Sequence, residues 1–349
     1  MNLESNQTIP EGRIEHCMTS IREFLIIYGG YKELWDYQHY GLWILNTING
    51  VWNQHLPPTE IKNTPLSSSI FAVGNLVYFI GGACRLYGYQ ATNSLVSFDI
   101  TTTKWKTVCP HSNDNDPNRP PPSFRNLLVY HSGSLYVLRK TQENEDMDTM
   151  YKFCLGTSTW SLVPQNGMKP IFNRQMFGTV YKNQLYTFED TYRAIYRFKE
   201  VRIFDFSIHT WTKRVTNSKT QQYPDNRIVE SFAFSGSFGY MSGGKILYSD
   251  QYYSDIWRID FETLEWIKLP YILKTGLTSH TMSVVDEIYL YSFGGCDIGS
   301  NYFNSLQRFI LRPPSLYRLC LESIGKSQNL NSYIKSLPPS IVDELNIND

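Results

Sequence analysis

Five tryptophans constrain what this chain can fold into. The segments LWILNTINGVW, LVSFDITTTKW, MYKFCLGTSTW, VRIFDFSIHTW and IWRIDFETLEW close on Trp52, Trp105, Trp160, Trp211 and Trp266, at spacings of 53, 55, 51 and 55 residues. A near-constant period with a constant internal order marks one supersecondary unit copied along the chain, each copy burying its apolar face against the next. Six residues before each tryptophan stands Asn46, Asp99, Cys154, Asp205 or Asp260. An Asp or Asn there bonds the backbone two residues on and turns one strand into the next, so each segment reads as a hairpin.

Upstream of the hairpins run the apolar strands FLIIYGG, NLVYFIGG, SLYVLRK, QLYTFED, GYMSGG and IYLYSFGG, six starts for five tryptophans. Gly29-Gly30, Gly81-Gly82, Gly243-Gly244 and Gly294-Gly295 allow a close backbone approach that a Cβ would obstruct. Arg139-Lys140 and Glu189-Asp190 replace the pair in the third and fourth units, which have diverged. A composition with 15% aromatic residues, 25 of them Tyr, suits many strands packed face to face. A stack of separate β-sandwiches would not keep this period and grammar.

The units resemble kelch repeats, whose period is about 50 residues, over roughly residues 10 to 312. The resemblance implies an all-β, six-bladed propeller across 10–312, followed by a tail over 313–349. The sixth unit lacks a tryptophan hairpin and ends at NSLQRFILRPPS. Its missing strand is expected from the few residues before Pro10, which leaves either a short strand or a weak closing blade.

Past Pro313-Pro314 the apolar spacing becomes helical. Leu316, Leu319, Cys320 and Ile324 share one face of a helix with Ser315 as N-cap and Gly325 at the C-cap, and a second short helix is expected around Ser340 to Leu345. Leu316, Cys320 and Ile324 resemble the elongin C-binding box of cullin-RING substrate receptors. LPPSIVDEL resembles the companion cullin box, with Leu337, Pro338, Ile341 and Leu345 in its positions. It is nearer the cullin-2 form than the cullin-5 form, which prefers a longer core. A helix that only covers the propeller edge is the alternative reading. With the kelch body, the combination resembles the kelch-domain receptors of cullin-2 ubiquitin ligases that read C-terminal degrons. That implies elongin B/C, cullin-2 and degron-bearing proteins as partners, and no catalysis by the chain itself.

Propeller ligands sit where the loops entering the innermost strands converge. Those loops read PEGRIEH, NTPLSSSI, PPPSFRN, IFNRQMF, YPDNRIVESF and KTGLTSHT, with Arg13, Arg125, Arg174 and Arg227 recurring and Ser231, Ser279 and His280 as neutral donors. Guanidinium groups at a channel mouth suit a carboxylate, because each donates two parallel bonds; arginines bracing neighbouring blades through carbonyls are the structural alternative. In the resembling family, arginines and a serine clamp the degron's terminal carboxylate. This carries over to Arg174, Arg227, Ser231 and Arg125, with Phe124, Phe172 and Phe177 as walls.

Other classes are disfavoured. Thirty-two basic residues balance 32 acidic ones, so there is no field for nucleic acid or anionic lipid. Six scattered cysteines without a CxxC pair read as reduced thiols, and the seven dispersed histidines lack the ligand spacing that a copper-dependent kelch oxidase would need; no cofactor is expected. The N-terminus lacks a leader pattern and no apolar run is long enough to span a membrane, so the expected location is cytosol or nucleus. A non-ligase kelch scaffold, for example a cytoskeletal one, remains the alternative function.

Overall fold

The computed structural model describes residues 8–32, 41–59, 66–84, 90–114, 116–139, 149–170, 175–188, 197–327 and 336–345. Its main sheets form the six blades of a β-propeller, each cut from one contiguous stretch of chain. Blade 1 runs outward through Ile14–Ile21, Phe24–Tyr31, Leu42–Asn46 and Trp52–His55, all antiparallel. The innermost strands of blades 2 to 6 are Ser69–Val73, Leu127–His131, Phe177–Tyr181, Ile228–Ser235 and Thr278–Val285. Together the six line a central channel.

The turn residues act as their chemistry requires. Asn46, Asp99, Asp205 and Asp260 each accept a bond from the backbone N–H two residues on, at 2.9, 2.8, 2.8 and 2.8 Å. Three of the hairpin tryptophans fasten blade to blade. Trp160 Nε1 donates to Cys109 Sγ at 3.4 Å, Trp211 Nε1 to Gln165 Oε1 at 2.8 Å and Trp266 Nε1 to the Phe198 carbonyl at 2.8 Å.

Successive residues of a strand point to opposite faces, so a strand between two blades must be apolar at every position. In FLIIY, Ile26 and Tyr28 join a core shared with blade 2, whereas Leu25 and Ile27 join one shared with blade 6. Six such interblade cores go round the ring, including the one between blades 6 and 1.

The double glycines make room for the next blade. At Gly294, φ is +73° and a Cβ would lie 2.5 Å from Cε1 of His16 in blade 1. Gly243 makes the same notch for His280, and Gly81 for Asn126, whose Nδ2 a Cβ would meet at 2.8 Å. In blade 3, Arg139 fills the position, and the residue that follows round the ring is Met176.

The strand expected from the N-terminus to complete blade 6 falls mostly on residues 1–7, outside the described residues. Blade 6 has three strands, and among the described residues none pairs with the outer edge of Leu306–Ile310. Gly12 and Arg13 lie across the top of blade 6, where Gly295 N–H donates to the Arg13 carbonyl at 2.9 Å. Thr281 Oγ1 meets His16 Nε2 at 2.6 Å, and Ser20 Oγ donates to the Val284 carbonyl at 2.6 Å. Among the described residues the ring therefore shuts by backbone and side-chain bonds and an apolar core between blades 6 and 1.

The tail forms helix α1 (Leu316–Gly325) and helix α2 (Pro339–Leu345). Ser315 Oγ caps α1 by accepting from Arg318 N–H at 3.1 Å; Gly325 is the last helical residue and Lys326 the C-cap, one position past the expected one.

Candidate functional site

The channel cavity has a volume of about 710 Å³ and opens at the end where each inner strand begins. At that mouth the backbone is kinked in register. Glu15, Ser67, Arg125, Val229 and Ser279, from blades 1, 2, 3, 5 and 6, have φ between +52° and +59°. Non-glycine residues adopt this conformation at a cost and keep it where the surroundings enforce it, commonly at binding sites. Here backbone bonds enforce it: Ser67 N–H donates to the Glu15 carbonyl at 2.8 Å and Arg125 N–H to the Ser67 carbonyl at 2.9 Å. The result is an arch across three blades.

Side chains converge above the arch. Arg125 donates from Nη2 to Glu15 Oε1 at 2.5 Å and from Nε to Oε2 at 3.3 Å, and the Ser67 hydroxyl also donates to Oε2. The Arg125 side chain remains 35% exposed and that of Glu15 21%. Below lie apolar walls from Met176, Phe177, Phe232 and Met282, with Phe177 and Phe232 rings 5.0 Å apart. Ser231 lines the same wall and is buried.

Arg227 does other work. It is buried behind the wall, with Nη1 donating to Asp255 Oδ1 at 2.5 Å and to the Gly243 carbonyl at 3.2 Å, and its guanidinium stacks 3.7 Å from the Tyr253 ring. Burial pushes the Asp255 carboxyl up, but the bonds and charge of Arg227, with the Trp257 N–H and the Lys268 charge, together outweigh this and hold it below the usual carboxylate range. Arg13 is its counterpart in blade 1, with Nη1 donating to the Gly29 carbonyl at 3.1 Å, and burial lowers it to about 10. Both brace the double-glycine strand of their own blade, whereas Arg125 sits two residues further along, on the arch. The recurrence of arginine in the sequence thus mixes two structural positions.

His280 is held in the Gly243 notch with Nε2 2.9 Å from Ser242 Oγ, and burial keeps it neutral, lowering it to about 3. Phe124 stands on the rim, its ring 5.9 Å from the Arg125 guanidinium. Arg174 and Phe172 lie outside the described residues. Glu15 and Ser67 were not among the candidates from sequence, although aligning each loop to the glycine-pair register would have put both level with Arg125. Glu230 also lines the channel, in a buried ion pair with Arg197. Among the described residues, no group of three or more His, Cys, Asp or Glu is placed to hold a metal ion.

A second surface lies at the other end of the propeller. Helix α1 docks through Arg318, Leu321 and Glu322. Arg318 Nη2 donates to Thr47 Oγ1 of blade 1 at 2.6 Å, its Nε to Glu322 Oε1 at 3.0 Å and its Nη1 to Asp286 of blade 6. The remaining face points outward, with Leu316 77%, Tyr317 53% and Leu319 47% exposed beside the exposed Cys320. Ile324 turns inward, packing with Leu337 and Ile341 on Ile48 and Leu321. Pro338 is exposed, and Leu345 ends α2. No helix among the described residues is long and apolar enough to cross a membrane.

Comparison with known proteins agrees with this architecture. The chain is 24% identical to human Kelch domain-containing protein 1 over 377 residues, covering 97% of this chain and 90% of that protein. It is 21% identical to Kelch domain-containing protein 10 of Rattus norvegicus over 334 residues (90% and 79%), and 22% identical to that of Xenopus tropicalis over 347 residues (93% and 81%). Residues 69–295 match the family described as the KLHDC2/KLHL20/DRC7 Kelch-repeats domain. With six blades, a lined channel and this match over more than half its length, the chain belongs to that kelch-repeat family and is a kelch-type protein-binding module.

Proposed function

We propose that this protein is the substrate-recognition subunit of a cullin-RING ubiquitin ligase, binding protein C-terminal degrons at the channel mouth and elongin B/C with cullin-2 through its tail. The observation that carries the reading is the division of α1 into two faces. A helix serving only as a cap would bury its apolar residues, yet α1 docks through Arg318, Leu321 and Glu322, with Ile324 packed inward, and leaves Leu316, Tyr317, Leu319 and Cys320 outward. An exposed apolar stripe on a fixed helix is what a partner's groove takes. The small Cys320 permits close approach, and the resemblance of LPPSIVDEL to a cullin box supplies the companion contact.

At the mouth, a partly exposed guanidinium with a hydroxyl beside it, above aromatic walls, suits a chain-terminal carboxylate and the residues before it. The protein holds its substrate and leaves ubiquitin transfer to the assembled ligase.

The test is a pull-down of wild type and the Leu316→Ser, Cys320→Phe variant, with elongin C, cullin-2 and cullin-5 read by immunoblot. Retention of elongin C and cullin-2 by wild type and their loss by the variant is the expected result. Failure of wild type to retain elongin C refutes the ligase role and leaves a kelch scaffold; cullin-5 in place of cullin-2 changes only the partner.

A further inference from the structure

We propose that Glu15 is a built-in occupant of the mouth, a carboxylate from the chain itself that holds the seat of the incoming terminal carboxylate and thereby sets both the affinity and the specificity of the channel. The inference rests on reading the mouth as a carboxylate site.

Glu15 has the bonding environment that reading assigns to a ligand. Its two oxygens accept from Nη2 and Nε of one guanidinium, at 2.5 and 3.3 Å, and one also accepts from the Ser67 hydroxyl. A side-on guanidinium with a hydroxyl is a complete seat for one carboxylate, and two carboxylates cannot share it without repulsion. The contact joins blade 1 to blade 3, between residues 110 apart in sequence, and is held by the left-handed kinks of the arch. Glu15 is therefore aimed at Arg125 by the fold.

Accessibility separates this pair from the other arginine contacts near the channel. The side chains of Arg227 and Asp255 are 0% and 11% exposed, and those of Arg197 and Glu230 1% each. Those pairs are closed, whereas water reaches Glu15 and Arg125, so among these described pairs the one at the mouth is the one open to exchange. An arriving terminal carboxylate takes the Arg125 fork and the Ser67 hydroxyl while the Glu15 side chain swings aside. Displaced, Glu15 stays within reach of the ligand's last residues as a negative charge. It repels Asp or Glu there and accepts from N–H groups, so the channel selects against acidic C-terminal sequences.

The experiment uses the full chain and fluorescein-labelled ten-residue peptides with randomised last three residues, as free acids and as C-terminal amides, read by fluorescence polarisation. Glu15→Gln removes the charge and Glu15→Asn, a residue that tolerates positive φ, removes the reach; thermal melts check that each variant folds. Wild type should bind the free acids and not the amides, and both variants should bind the acids about two- to five-fold tighter, the range for a partly exposed charged pair. Both should also accept Asp and Glu at the last positions. Binding by wild type with no tightening and no relaxed selection in either folded variant overturns the role of Glu15 while sparing the carboxylate reading. Equal binding of acids and amides by wild type overturns the carboxylate reading, and the role of Glu15 with it.

Discussion

Among the single residues that hold the blades together, His280 and the glycine notches make the sharpest demands. Folding lowers His280 from its ordinary 6.5 to about 3 because burial penalises its charged form. Between those values the unfolded chain binds the extra proton and the folded one does not. Stability is therefore complete above about pH 6.5 and falls as pH drops towards 3, by up to about 1.4 kcal/mol per pH unit from this group. His280→Asn, which copies Asn126 in the Gly81 notch, should flatten that part of the profile in urea melts taken from pH 7 to 4. Gly294→Ala, by contrast, places a methyl against His16 and the Arg13 carbonyl at a φ of +73°. It should cost about 2–4 kcal/mol in the same melts.

For whole elements, the question is which face of α1 the fold uses. Leu321→Ala removes a buried contact of the cluster with Ile48 and should destabilise by about 2–4 kcal/mol. Leu316→Ser, on the exposed face, should stay within about 0.5 kcal/mol of wild type; comparable losses for the two would mean that α1 is wholly a cap. The hairpins, the turn carboxylates and the helix were legible in sequence because each rests on local chemistry: a period, an Asx bond within two residues, an N-cap three residues from its donor. The arch was not legible. Glu15, Ser67 and Arg125 carry no local preference for positive φ, and their kinks are imposed by bonds between blades more than fifty residues apart. For the same reason Arg227 and Arg125 looked equivalent in sequence, since only the sheet register tells the brace from the rim.

The whole molecule is a ring whose joints are not all alike. The closing joint unites strands from opposite ends of the chain, so its loop-closure cost is the largest in the ring. Hydrogen exchange should show amides of Ile14–Ile21 and Thr278–Val285 opening together, ahead of the joint between blades 1 and 2; uniform protection round the ring would contradict this. This closure also bears on how the protein is made. A chain emerging from the ribosome can complete the described strands of each blade before the next begins, since each of those sheets comes from one contiguous stretch. Yet Leu25, Ile27 and Trp43 share their core with Val285, Tyr289, Tyr291 and Phe293 of blade 6. Through most of its synthesis the nascent chain must carry an uncovered apolar flank on its first blade, a standing invitation to chaperones, and fragments ending before Val285 should aggregate however well their own blades have formed.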